Sequence, residues 1–140
     1  MNPPEIIAEF YEPGSKLYQT LVWHGEQVAN KAIDVAKRVP YLKPDHDFIK
    51  EAAMLHDIGK INIRETTLCK HDSLSKAEWS EIQLHPSTGA EMIKDIPYLS
   101  PAIPVVRYHH ERWDGDGYPR WLAGVDIPLA ARLFAVADVW

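Results

Sequence analysis

Between residues 15 and 39 the apolar positions Leu17, Leu21, Val28, Ile33, Val35 and Val39 fall near helical spacing, after Pro13-Gly14 and before Pro40. The pattern predicts a long helix with His24 at its middle. A second helix is predicted from Asp45–Asp47 through Ile49, Ala52, Ala53 and Leu55, with Gly59 as its C-terminal cap. Residues 61 to 74 read as an irregular connection. Ser75-Lys76-Ala77-Glu78 matches a capping box, in which hydroxyl and carboxylate each accept from the other residue's backbone N–H, so a helix starts near Lys76. Pro86 interrupts it and opens the next, through Ala90, Met92 and Ile93. Ser100-Pro101 repeats that signal for a helix carrying Ile103, Val106, Arg107 and His110. Two glycines and a proline make Asp114 to Pro119 a loop. Pro128 opens a last helix, Leu129 to Trp140, apolar nearly all round and therefore expected to be buried. No alternating run is long enough for a strand. The reading is all-α, with about six helices in one domain over residues 1–140.

Composition narrows the partners. Apolar residues make up 46% of the 140 and charged residues 25%, a balance that supports a folded core. The net charge of −5 argues against long DNA or RNA. A small anionic substrate stays open, because bound metal ions reverse the local field. Cys69 is the one cysteine, so no disulfide framework forms within the chain and a reduced cytoplasmic setting is expected. The N-terminus lacks a basic start and an apolar run, and no stretch approaches the ~18 apolar residues of a membrane span.

The chemistry lies in the histidines. His109-His110 is an adjacent imidazole pair leading into a Gly-rich loop. His56-Asp57, His85 before a proline, His24 upstream and Asp138 near the end complete a set that suits a binuclear metal site. Each sits on or at the end of a predicted helix, which gives a metal site its rigid geometry. A carboxylate has two oxygens and can bridge two ions; a neutral imidazole has one open nitrogen and cannot. The set then divides around Asp57. One ion takes His24, His56, Asp57 and Asp138; the other takes Asp57, His85, His109 and His110. Paired ions about 3.5–4 Å apart, with a hydroxide between them, suit hydrolysis of a phosphate ester. Nitrogen-rich ligation favours iron or manganese, with zinc and nickel also open, over magnesium. Asp138 stands in an apolar stretch, where an unpaired carboxylate is costly. A metal provides its partner; a salt bridge to Arg132 or Arg107 is the alternative. His46 and His71 read as surface or cap residues, and Cys69 as an ordinary surface cysteine.

His56-Asp57-Ile58-Gly59-Lys60 resembles the signature of the HD phosphohydrolase superfamily. His85-Pro86, Gly89-Ala90, His109-His110-Glu111-Arg112-Trp113-Asp114-Gly115 and Gly117-Tyr118-Pro119 resemble its HD-GYP subfamily, and the likeness continues through Ile127–Arg132 and Ala135–Val139. The resemblance is close over residues 46–140 and loose over 15–45. It implies an α-helical HD-domain bundle and a phosphodiesterase of cyclic di-GMP, a bacterial second messenger, or of a related cyclic dinucleotide. It implies the metal ligands His24, His56, Asp57, His85, His109, His110 and Asp138. Lys60 is implied as a contact to the substrate phosphate, acting beside Asp57, and Gly117, Tyr118 and Pro119 as the loop beside the substrate.

Physical reasoning supports these last roles. Lys60 follows the ligand pair by three residues and can neutralise charge building on a phosphoryl oxygen; a solvated Lys at a helix end is the plainer alternative. Gly115 and Gly117 let the backbone approach a ligand closely. Tyr118 can stack on a guanine or bond a phosphate, or simply pack against the core. Glu111, Arg112 and Trp113 are candidates for supporting or packing roles.

Some members of the resembled family bind a third metal through a Glu four residues before the first His. Here that position is Thr20, so two metals are expected. Domains of that family continue beyond the position of Trp140 with further helices and an Arg- and Lys-bearing segment, and often adjoin a signal-receiving domain. The last helix is then expected to lack its cover and to favour self-association. Two other readings stay open: hydrolysis of another nucleotide or phosphate ester, and a catalytically silent module that binds metal or nucleotide.

Overall fold

The computed structural model describes residues 2–38, 40–42 and 45–138. Among them no strand occurs, and the α-helices are α1 (Pro3–Ala8), α2 (Lys16–Lys37), α3 (His46–Leu55), α4 (Glu65–Leu68), α5 (Lys76–Ile82), α6 (His85–Ile93), α7 (Ile103–Tyr108) and α8 (Leu129–Asp138). Short 3₁₀ turns at Pro40–Leu42, Ile58–Asn62, Pro97–Ala102 and Gly124–Asp126 link them. The all-α reading holds. None of the helices is long and apolar enough to cross a membrane.

Local chemistry sets the boundaries. Ser15 accepts from the Tyr18 N–H to start α2, and Asp45 accepts from Asp47 and Phe48 to start α3. The capping box at Ser75 and Glu78 is formed as the sequence predicts. Each such cap contributes about 1 kcal/mol. Two short helices escape the pattern reading. Helix α1 starts at its own capping box, Asn2 with Glu5, and α4 interrupts the connection expected over 61–74. With six and four residues they are too short to display a helical period.

Other expectations need correction. Gly59 does not cap α3: the helix ends at Leu55, and Gly59 lies inside the next 3₁₀ turn. Its role is close packing, because a Cβ there would collide with the His85 carbonyl oxygen and the Gly89 backbone. Pro101 falls within a 3₁₀ turn, and α7 ends at Tyr108, so His110 lies beyond the helix expected to carry it. Helix α8 is buried on one face only. Ala131, Phe134 and Ala137 face inward, while Leu129, Leu133 and Val136 are exposed. Val39, Val139 and Trp140, assigned to helices from the sequence, lie outside the described residues.

Two apolar clusters hold the bundle. One joins Ile6, Ile7 and Tyr11 to Leu21, Leu55, Ile58, Ile93, Leu99 and Val106. The other packs Val28 and Ala29 of α2 against Ala52 and Ala53 of α3, Val105 of α7, and Phe134 and Ala137 of α8. Small residues let α2 lie close on α3: a Cβ on Gly25 would stand 2.9 Å from the Met54 Cα. This contact brings His24 in the middle of α2 beside His56 at the end of α3.

Candidate metal centre

His24 comes from within α2, while His56 follows α3 directly and Asp57 comes next. His85 is the first residue of α6, His109 and His110 follow α7, and Asp138 ends α8. Their donor atoms converge. Asp57, His85, His109 and His110 form one group, and His24, His56 and Asp138 form another, with the atoms of each within 4.8 Å of one another. The seven residues singled out as ligands thus lie together, and Asp57, expected in both sets, groups with His85, His109 and His110.

Asp57 joins the two groups. Its Oδ1 lies 3.3 Å from His85 Nε2, while its Oδ2 lies 3.4 Å from His56 Nε2 and 3.7 Å from His24 Nε2. Asp138 Oδ1 faces the same two imidazoles, at 3.3 Å from His56 and 3.5 Å from His24. His56, Asp57, His85 and His109 are almost fully buried, whereas the His24 side chain is 36% exposed.

Three of the imidazoles are aimed by the backbone. The Nδ1 of His56 lies 2.6 Å from the Ala53 carbonyl, that of His85 2.7 Å from Ile82 and that of His109 2.9 Å from Val106. A carbonyl oxygen only accepts, so Nδ1 carries the hydrogen in each ring. When neutral, each ring then turns an Nε2 lone pair inward, as ligation requires. His85 Nε2 and His109 Nε2 consequently face each other at 3.3 Å. Two lone pairs at that distance repel unless a cation or a proton lies between them. The donor set therefore fits a bound cation.

The charges around the donors agree. Burial works against a charge on His56, but Asp57 and Asp138 outweigh it and raise its pKa to about 10. Its Nε2 faces the two carboxylates, at 3.4 Å from Asp57 and 3.3 Å from Asp138. Burial would lift the Asp57 carboxyl, but His56 and Lys60 hold it well below the usual carboxylate range. Asp138 is likewise lowered against its burial by His24 and His56. On the other side, burial and then neighbouring charge depress His109, and burial followed by His85 brings His110 down to about 4. These are neutral donors at neutral pH.

Lys60 lies in the 3₁₀ turn after Asp57, and its Nζ donates to Asp57 Oδ2 across 2.6 Å. It lines a pocket of about 350 Å³ with His24 and Asp57. Thr20, on the same wall, donates its hydroxyl to the Lys16 carbonyl. A larger groove of about 1080 Å³ opens on His109 and His110. Tyr118 forms part of its wall and stacks on His110, with ring centroids 4.7 Å apart and planes 26° apart. Gly117 approaches the chain itself: a Cβ there would collide with the Arg112 nitrogen and the Glu111 Cα. The Tyr118-Pro119 peptide is cis. The close approach at Gly117 shapes the turn that presents Tyr118.

The sequence alone assigns Glu111 a supporting or packing role. Its buried carboxylate accepts from the Arg120 N–H at 2.7 Å and the Leu122 N–H at 2.9 Å, closing the loop that carries Tyr118. The available signal was an acidic residue directly between the ligand pair and a Gly-rich loop. His46 and His71 are exposed and stand outside both donor groups, as expected.

Known proteins give an independent comparison. A 3'3'-cGAMP-specific phosphodiesterase 2 of Vibrio cholerae is 36% identical over 119 residues, covering 84% of this chain and 23% of the relative. The cyclic di-GMP phosphodiesterase response regulator RpfG of Xanthomonas campestris is 37% identical over 117 residues, 82% of this chain and 31% of the relative. A cyclic di-GMP phosphodiesterase of Thermotoga maritima is 40% identical over 92 residues, 64% and 25% respectively. The chain spans between a fifth and a third of the length of the curated relatives it matches. The family model described as HD domain matches residues 5–140, which include every donor of the cage. On that match, the chain belongs to the HD-domain phosphohydrolase family.

Proposed function

We propose that the chain is a metal-dependent phosphodiesterase unit of HD-GYP type that opens a cyclic dinucleotide, cyclic di-GMP or 3'3'-cGAMP. The observation that carries this reading is the pair of donor groups meeting at the two oxygens of Asp57. The substrate class is supported by relatives named as phosphodiesterases of these two compounds. His24, His56, Asp57 and Asp138 would hold one divalent ion, and Asp57, His85, His109 and His110 the other. Iron or manganese suits this nitrogen-rich set. Bound there, paired ions supply an acidified water and positive charge for the phosphoryl oxygens.

The chain's own residues do the rest. Asp57 turns one oxygen toward each donor group. Lys60 places an ammonium beside the same centre, where it offsets charge on a phosphoryl oxygen as the ester bond breaks. Tyr118, held over His110 by the turn at Gly117 and Pro119, forms the wall against which the substrate rests. The exposed thiol of Cys69 fits a reduced cytoplasmic compartment in a bacterial cell that uses such messengers.

The test is direct. Protein loaded with manganese or ferrous iron is incubated with cyclic di-GMP and with 3'3'-cGAMP, and the linear dinucleotide is sought by chromatography. Turnover of either that disappears with EDTA and in Asp57→Asn supports the reading. No turnover of either substrate with both metals overturns it.

A further inference from the structure

The groove that opens on His109 and His110 is far larger than one phosphodiester link requires. Its walls bring together Trp79 from α5, Tyr118 from the loop and Arg132 from α8. Trp79 is 46% exposed and meets Tyr118 edge to face, with centroids 6.1 Å apart. Arg132 is the unusual member. Its Nε is buried without a hydrogen-bond partner, and among the described residues its guanidinium makes no carboxylate pair. Its one described contact of note is with the face of Trp113, 5.9 Å from the ring centroid. Asp114, the nearest acidic residue in sequence to Trp113, is already bound by Arg112.

The buried Nε of Arg132 is left without an acceptor unless a ligand in the groove supplies one, and a guanidinium suits an anion there. Arg132 precedes Asp138 by six residues, so it stands about 9 Å along α8 from the metal-facing carboxylate. A phosphate bound by Arg132 would then stand apart from one held at the metal donors. The aromatic rings beside it suit a base, since stacking needs only a π face.

We propose that this groove seats the second nucleotide unit of the substrate, with Arg132 gripping its phosphate and Trp79 and Tyr118 flanking its base. The assignment rests on the cyclic-dinucleotide reading above and adds its specificity determinants. It explains how a centre that cuts one ester link selects a substrate with two.

A phosphorothioate analogue of cyclic di-GMP that resists hydrolysis, titrated calorimetrically into the metal-loaded protein, tests it. Arg132→Met keeps an unbranched apolar side chain and removes the charge; Arg132→Lys restores the charge. Elemental analysis of each variant checks the cage. Loss of a charge-assisted contact should weaken analogue binding roughly 10- to 100-fold in Arg132→Met, with partial recovery in Arg132→Lys. Loss of a stacking face in Trp79→Ala should weaken it about 10-fold or more. With cyclic di-GMP itself, KM should rise in these variants by a larger factor than kcat falls. Wild-type affinity in both Arg132→Met and Trp79→Ala overturns the subsite. If Arg132→Met loses its metals, Trp79→Ala decides, because Trp79 belongs to neither donor group. Failure of the wild-type protein to bind the analogue overturns the underlying substrate reading instead, and is distinguishable because no variant is involved.

Discussion

Lys60 Nζ lies 2.6 Å from Asp57 Oδ2, the same oxygen that faces His24 and His56. A cation entering that side meets an ammonium already in place, and the two must share the oxygen or Lys60 must swing toward the pocket. Lys60 is 28% exposed, so it has room to swing. Its predicted role is therefore separable from metal holding. Lys60→Met should retain both ions by elemental analysis and lose about 10²-fold in kcat. Unchanged kcat would remove Lys60 from the reaction.

The metal-free cage has a stability optimum set by its histidines. His56 is raised from its ordinary 6.5 to about 10, so the folded state keeps a proton that the unfolded chain releases. Its contribution is complete below 6.5 and is lost as pH rises toward 10. His110 is lowered from 6.5 to about 4, so its contribution is complete above 6.5 and is lost as pH falls toward 4. Scanning calorimetry in EDTA should give a maximum Tm near pH 6.5, with declines on both sides. A Tm that climbs steadily to pH 9 contradicts the assignment for His56.

Cation binding at His56 must expel the proton on Nε2. Calorimetric titration of manganese at pH 7, in two buffers of different ionisation enthalpy, should report about one proton released for that site. An apparent enthalpy that is the same in both buffers would mean that His56 is neutral before binding.

Glu111 should matter through the loop. Glu111→Ala strips the carboxylate acceptor from the Arg120 and Leu122 N–H groups, at a cost of about 2–3 kcal/mol. Glu111→Gln retains one acceptor and should cost about half as much. Urea unfolding reads the difference. Limited trypsin digestion should cut after Arg120 faster in the Ala variant.

Gly59→Ala should destabilise by about 3 kcal/mol, since the added methyl meets backbone rather than a yielding side chain. The same push on His85 and Gly89 should lower metal occupancy. An Ala variant with wild-type Tm would show that α6 can retreat without cost.

Much of this architecture is written in the sequence, at places where one residue decides a local outcome. Ser15, Asp45 and Ser75 mark helix starts because each supplies an acceptor to an otherwise unpaired N–H. The seven cage residues are legible because imidazoles and carboxylates are rarely worth burying together without a purpose. What escapes depends on contacts between distant segments. Gly59 looks like a helix end until the His85 carbonyl is known to pass beside it. Helix α8 looks buried all round because its sequence is apolar, yet among the described residues it is the face of Ala131, Phe134 and Ala137 that packs inward. The task of Glu111 depends on a turn that returns Arg120 and Leu122 to it. Nothing in residue identity announces that three rings are tied by Nδ1 to carbonyls three residues back.

That last arrangement bears on how such a domain can diversify. Peptide oxygens are supplied by every amino acid, so the orientation of His56, His85 and His109 survives exchange of Ala53, Ile82 or Val106 for other residues compatible with the fold. The surrounding walls are thereby released to drift toward new ligands while the inner imidazoles keep their bearing.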